Sequence, residues 1–139
     1  MNWLIYAFLS AITAALVAIF GKVGLEGVDS VVATGIRAGI MFGIIFIVLA
    51  LTGKLSQVLS INRNSLLYIG LGGLAGAASW VFYFLALQSG KASLVAPIDR
   101  LSVAFVIVLS AIFLGEQITL QTAVGVLLIV VGAIIIILT

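Results

Sequence analysis

The sequence predicts an all-α, polytopic membrane protein with five transmembrane helices, and three observations predict it. Of the 139 residues, 65% are hydrophobic, and the mean hydropathy is +1.48. Only 7% are charged, where a soluble domain carries roughly a quarter, and the shortfall runs along the whole chain. Five apolar stretches follow one another, each long enough to cross ~30 Å of hydrocarbon at ~1.5 Å per residue. No segment has the polar residues for a water-facing shell, and a lipid-facing exterior removes the contradiction.

The first span covers about 3–20. Trp3 and Tyr6 near its start suit an interface anchor, and the opening residues Met1, Asn2, Trp3 and Leu4 lack the basic region of a cleavable signal. A retained first helix is therefore expected. A glycine-rich polar connection follows, with Gly21, Lys22, Gly24, Glu26, Gly27 and Asp29. Asp29 or Ser30 is placed to cap the second span, about 30–51. The longest polar stretch, 52–64, carries Lys54, Gln57, Asn62 and Arg63. The third span covers about 65–87, and Gln88 to Lys91 form a tight turn. The fourth covers about 92–114, and Gly115, Glu116 and Gln117 form another turn. Glu116 there gains from the following helix dipole. Thr119 is placed to cap the fifth span, about 119–138.

No loop is large enough to be a domain, so residues 1–139 read as a single transmembrane domain in which short connections make neighbouring helices antiparallel. An odd number of spans puts the termini on opposite sides. Lys54 and Arg63 then face Lys22 and Lys91 across the membrane, a tie in the loop charge that normally sets orientation. Counting Arg37 and Arg100 with the second side gives it a modest lead. Two readings follow: one orientation with the C-terminal side inside, or insertion both ways, which lets two copies pair antiparallel.

Composition also excludes function classes. Six scattered basic residues and a net charge of +2 do not suit nucleic acid. Neither cysteine nor histidine occurs, so disulfides, thiolate and imidazole metal sites and the usual near-neutral acid–base group are missing. No catalytic constellation, metal site or cofactor motif is present; Gly72-Gly73 is not followed by the Gly-Lys-Ser/Thr of a phosphate loop. An enzyme is not expected.

Arg37 lies about two turns into the second span, and Asp99 and Arg100 about two turns into the fourth, all roughly 10 Å deep by the helical rise. A charge at a helix centre costs ~2.5–3.5 kcal/mol on insertion scales. Two positive groups against one negative suit a cavity for a carboxylate or phosphate. Asp99 is alternatively a protonation site, and a third reading has both arginines snorkelling to headgroups with Asp99 as their structural partner. Pro97 frees a carbonyl near Ser93 and either bends a site wall or is tolerated near a helix start. Gly35, Gly39 and Gly43 recur every four residues, as do Gly72 and Gly76, which continue into Ser79 and Tyr83. This spacing is a helix-packing signal, within the chain or between chains; Gly125 and Gly132 read the same way. Trp80, Tyr83 and Phe84 lie deeper than an interface belt. Facing a cavity, they suit a flat or organic-cation substrate; facing lipid, they are filler.

The run from Lys91 through Pro97 to Ser102, the Gly115-Glu116 pair, Leu120-Gln121, Gly125 and Gly132, with Ala78-Ser79-Trp80 and Tyr83 in the third span, resembles the EamA-like domain of the drug/metabolite transporter superfamily. The resemblance covers nearly the whole chain. Most members carry ten helices as two five-helix repeats inserted in opposite directions, and this chain is similar to one repeat, as in half-length bacterial and archaeal members. The resemblance implies an antiparallel homodimer in the plasma membrane, with a cavity lined by the first, third and fourth helices of both copies and alternating access by rocking. Small multidrug resistance proteins are relatives that use a glutamate in the first helix. The first span here holds no acid, so proton coupling, if it operates, falls to Asp99.

The expected function is a secondary transporter of small organic molecules or metabolites, with substrate and lipid as partners. Arg37, Asp99 and Arg100 set the charge of the site, Trp80 and Tyr83 its shape, and Pro97 its bend. The rival readings are a subunit of a lipid-linked-sugar flippase and a non-transporting partner or regulatory membrane protein.

Overall fold

The structure, a computed structural model, describes residues 2–138. All regular secondary structure among them is helical: α1 (Asn2–Gly24), α2 (Ser30–Leu51), a 3₁₀ turn (Leu55–Ser60), α3 (Arg63–Ser89), α4 (Ala92–Asp99), α5 (Ser102–Phe113) and α6 (Leu120–Ile137). Taking α4 and α5 as one broken span, five segments are long and apolar enough to cross a membrane. The five expected spans are all present, and what surrounds them is lipid rather than water: long apolar side chains on every helix are exposed, among them Phe8, Ile45, Leu74, Phe105 and Leu128.

The helix ends follow local chemistry. Asp29 caps α2, its Oδ1 accepting from the Val31 and Val32 amides at 2.8 and 3.2 Å. This satisfies donors that a helix start leaves orphaned. At the other end of α2, Gly53 takes a left-handed φ of 67°. The Gly53 amide returns to Ala50 O and the Lys54 amide to Leu49 O, a glycine-terminated C-cap. Asn62 Oδ1 accepts from the Ser65 amide at 2.7 Å, so α3 starts at Arg63 rather than at Ser65. Thr119 Oγ1 accepts from the Thr122 amide at 3.1 Å and caps α6.

The fourth span is broken. Pro97 lies inside α4 and has no amide hydrogen to donate. Beyond it the amides of Leu101, Val103 and Ala104 reach back three residues, to Ile98, Arg100 and Leu101. Arg100 and Leu101 keep right-handed helical angles. The joint is therefore a 3₁₀ tightening, not an unwound stretch.

Two compact units divide the chain. One comprises Ile19–Ser89. In it α2 packs along α3, and Leu25, Phe84 and Leu87 are buried. Gly21, in the last turns of α1, permits this packing. A Cβ there would stand 3.3 Å from Phe84 Cζ and 3.4 Å from Leu87 Cδ1. The other unit combines the start of α1, up to Ala18, with the chain from Gly90 onward. In it α6 packs against α4 and α5, and Val95 and Ala133 are buried.

Candidate functional site

Between α2 and α3 one charged side chain is held among aromatic rings. The pairing is level at its open end, where Gln88 Nε2, near the end of α3, donates to Val28 O, just before α2, at 3.3 Å. From Gln88 back to Trp80 is eight residues, and from Ser30 to Arg37 is seven, so both side chains start about 10–12 Å inward at 1.5 Å per residue. There the Arg37 guanidinium carbon lies 3.3 Å from the Trp80 ring centroid and 5.5 Å from that of Phe84. Tyr83 meets Trp80 nearly edge-on, with centroids 5.6 Å apart and planes at 80°. Phe84 tilts against both, at 6.0 Å from Trp80 and 6.3 Å from Tyr83.

The cluster follows from helical spacing. Residues 80, 83 and 84 share one face of α3, and Phe84, buried at 3% exposure, fixes that face against its neighbours. The α3 terminus is held by Lys22, whose Nζ donates to Leu87 O at 2.6 Å. A cation there meets carbonyls that the helix end leaves unpaired. Trp80, Tyr83 and Arg37 are all half-buried.

This geometry bears on the choice between site and snorkel. The Cβ of a helical residue leans toward the helix N-terminus, so Trp80 leans away from the Gln88 end, further into the span. Arg37 leans the other way, toward the start of α2, and its guanidinium meets the Trp80 ring there. A cation–π contact contributes roughly 0.5–1 kcal/mol when exposed and about 2 when desolvated. That offsets only part of the ~2.5–3.5 kcal/mol cost of the charge in a span. Among the described residues, no acceptor takes a hydrogen bond from the Arg37 guanidinium. The stack uses the faces of a group whose five N–H donors point outward in its plane.

The remaining expected residues lie elsewhere. Pro97, Asp99 and Arg100 belong to the α4–α5 joint in the other unit. Asp99 is half-buried and Arg100 exposed. No basic side chain lies within ion-pair distance of Asp99 among the described residues. The glycine stripes leave space beside them: among the described residues a Cβ at Gly35, Gly39, Gly43, Gly72 or Gly76 would meet nothing within 4 Å. Gly125 and Gly132 are equally open. The glycine that does admit a close neighbour is Gly21, which the sequence presents as part of a loop. Lys22 was hidden in the same way. Its place in the last turn of α1 is visible only once the helix is seen to run to Gly24.

Comparison with known proteins gives the context for this site. The model of the EamA-like transporter family matches residues 1–138. An "uncharacterized transporter in cobO 3'region" from Sinorhizobium sp is 41% identical over 132 residues, covering 95% of this chain and 94% of that protein. An uncharacterized protein of Methanocaldococcus jannaschii is 30% identical over 81 residues, covering 58% of this chain and 59% of that one. No solved structure matches. A family match along the described chain, a relative of the same length and five membrane-spanning helices agree: this multi-pass membrane protein belongs to the EamA-like transporter family.

Proposed function

We propose that the protein is a secondary transporter of small organic molecules that works as an antiparallel homodimer inserted in both orientations, by alternating access and without bond chemistry of its own. The observation that carries the reading is Arg37, an ionised side chain about 10 Å into a span by the helical rise and on the face of Trp80. A charge at that depth is costly, and in membrane proteins such groups mark substrate or ion pathways. Support for a second copy comes from the glycine stripes. Gly35, Gly39 and Gly43 on α2, with Gly72 and Gly76 on α3, are small-residue positions where an added Cβ would meet nothing within 4 Å among the described residues. Such positions suit close helix–helix approach. The tied loop charge, Lys54 and Arg63 against Lys22 and Lys91, gives insertion no strong preference. In this reading residues 1–139 act as a single transmembrane domain. Asp99, the acid within a span, is the residue through which protons would couple to flux, and the Pro97 joint is where the fourth span bends.

Two measurements test the proposal. The chain has no cysteine, so a single cysteine introduced at Ser56, in the 3₁₀ turn, reports sidedness. Labelling of about half the molecules from outside intact cells is expected for dual insertion; complete or zero labelling contradicts it. Purified protein alone in liposomes is expected to carry substrate. Flux that needs a different half-length chain would make it a flippase-type subunit instead, and a chain inert in both settings would be a regulatory partner.

A further inference from the structure

We infer that the Arg37–Trp80 pair is an oxyanion site, and that the molecules this transporter carries are small organic anions bearing a carboxylate or phosphate rather than organic cations. The inference rests on the transporter reading above and names its substrate class. Aromatic side chains in a membrane transporter invite the opposite assignment, since the face of a tryptophan attracts cations. Here that face is taken. The guanidinium carbon stands 3.3 Å from the Trp80 centroid, which leaves no room on that side for a second cation. A cationic ligand approaching from elsewhere would meet the fixed positive charge of Arg37.

The stack also prepares Arg37 for an anion. Its two faces are the weakly hydrated part of a guanidinium, and its edge is a rigid fork of donors that matches the paired oxygens of a carboxylate or phosphate. Holding one face on Trp80 fixes the plane of the fork, so little orientational freedom is lost when a ligand binds. Tyr83 stands edge-on to Trp80, and Phe84 lies 5.5 Å from the guanidinium carbon. Phe84 is buried and Trp80 and Tyr83 half-buried, and charge-assisted hydrogen bonds strengthen where neighbouring rings lower the local dielectric. Among the described residues the guanidinium has no hydrogen-bond acceptor. The missing acceptors are what an anionic ligand supplies. A lipid headgroup offers the same oxyanion chemistry, but it would have to descend about 12 Å along α3 to reach the fork. A soluble anion is the occupant we assign.

Trp80 is itself the reporter. The sequence has two tryptophans, and Trp3→Phe leaves Trp80 alone, with its indole against the binding group. The purified W3F protein in phosphatidylcholine nanodiscs is titrated with benzoate, glycerol 3-phosphate and benzyltrimethylammonium. Saturable changes in Trp80 emission with the two anions and none with the cation are expected. Arg37→Gln should weaken the anion response by about tenfold or more, with Arg37→Lys between the two, because a lysine keeps the charge and loses the fork. Circular dichroism and thermal unfolding of each variant confirm that it is folded. The inference is overturned by a saturable response to the cation, by anion responses equal in R37Q and the parent, or by emission changes that appear only when phosphatidylglycerol is added to the nanodisc, which would make Arg37 a headgroup anchor. Failure here is distinct from failure of the transporter reading: cation flux in liposomes would keep transport and sink the anion site, whereas anion binding without flux would do the reverse.

Discussion

The molecule carries ionised side chains into its spans at two places, and the two are built differently. In the α2–α3 pair the helices are continuous, and a single cation is held by rings: Arg37 on Trp80, with Phe84 and Tyr83 around it. At the α4–α5 joint the helix tightens to 3₁₀ bonding, and both signs of charge lie there, in Asp99 and Arg100. There the backbone stays hydrogen-bonded, the carbonyls of Ala96, Ile98, Arg100 and Leu101 all accepting amides across the joint. Charges at similar depth along their spans thus stand in two different surroundings. Arg100 is exposed, whereas Arg37 is half-buried, stacked and without acceptors among the described residues.

The largest expected effect separates the two places. Arg37→Gln is expected to cut anion flux in proteoliposomes by at least about tenfold, the loss of roughly 1.4 kcal/mol or more of ligand binding. Arg100→Gln should change it less than about threefold, as for an exposed charge outside the ring cluster. Equal losses from the two would erase the distinction. Next comes Gly39→Leu on the open α2 stripe. It is expected to weaken self-association by about an order of magnitude, read by energy transfer between labelled copies in nanodiscs. The fold of a single chain should be untouched, because a side chain there meets nothing of its own chain. Trp80→Leu should raise the half-saturating anion concentration several-fold, the equivalent of a lost cation–π contact of roughly 1 kcal/mol. Trp80→Phe should restore part of it. Gly21→Val tests the packing that holds the α3 terminus. Overpacking against Phe84 and Leu87 should lower stability by about 1–3 kcal/mol, seen in thermal unfolding in detergent. The smallest effect is Asp29→Ala, a lost helix cap of about 1 kcal/mol with flux unchanged.

Much of the architecture was legible in residue types. Asp29 and Thr119 read as caps because a short polar side chain ahead of a long apolar run has orphaned amides to satisfy, and both do so. The start of α3 was less legible: Asn62 caps it two residues early, inside a polar stretch that looks like plain loop. Pro97 reads either as a bend or as a proline tolerated near a helix start, and the 3₁₀ tightening falls downstream of it, at Arg100 and Leu101. A missing amide hydrogen disturbs the carbonyl behind it, while the helix readjusts ahead of it.

The site was legible in part, for a geometric reason. Helical rise gives the depth of a residue, and depth grouped Arg37 with Asp99 and Arg100. What depth does not give is rotation about the helix axis, which decides the neighbour. Arg37 and Trp80 are 43 positions apart, and only the pairing of α2 with α3, set level by Gln88 and Val28, brings one onto the other. Trp80 and Tyr83 were singled out as shaping a site, but nothing in the sequence says that the ring face is already occupied.

The guanidinium edge of Arg37 is, in the proposed mechanism, where cargo is gripped. The most direct measurement is uptake of labelled benzoate by liposomes containing the purified protein alone, comparing the parent with R37Q at matched incorporation. The account predicts saturable uptake by the parent, inhibited by glycerol 3-phosphate and indifferent to benzyltrimethylammonium, and collapse to background in R37Q. Uptake that survives the loss of the guanidinium undiminished would contradict it.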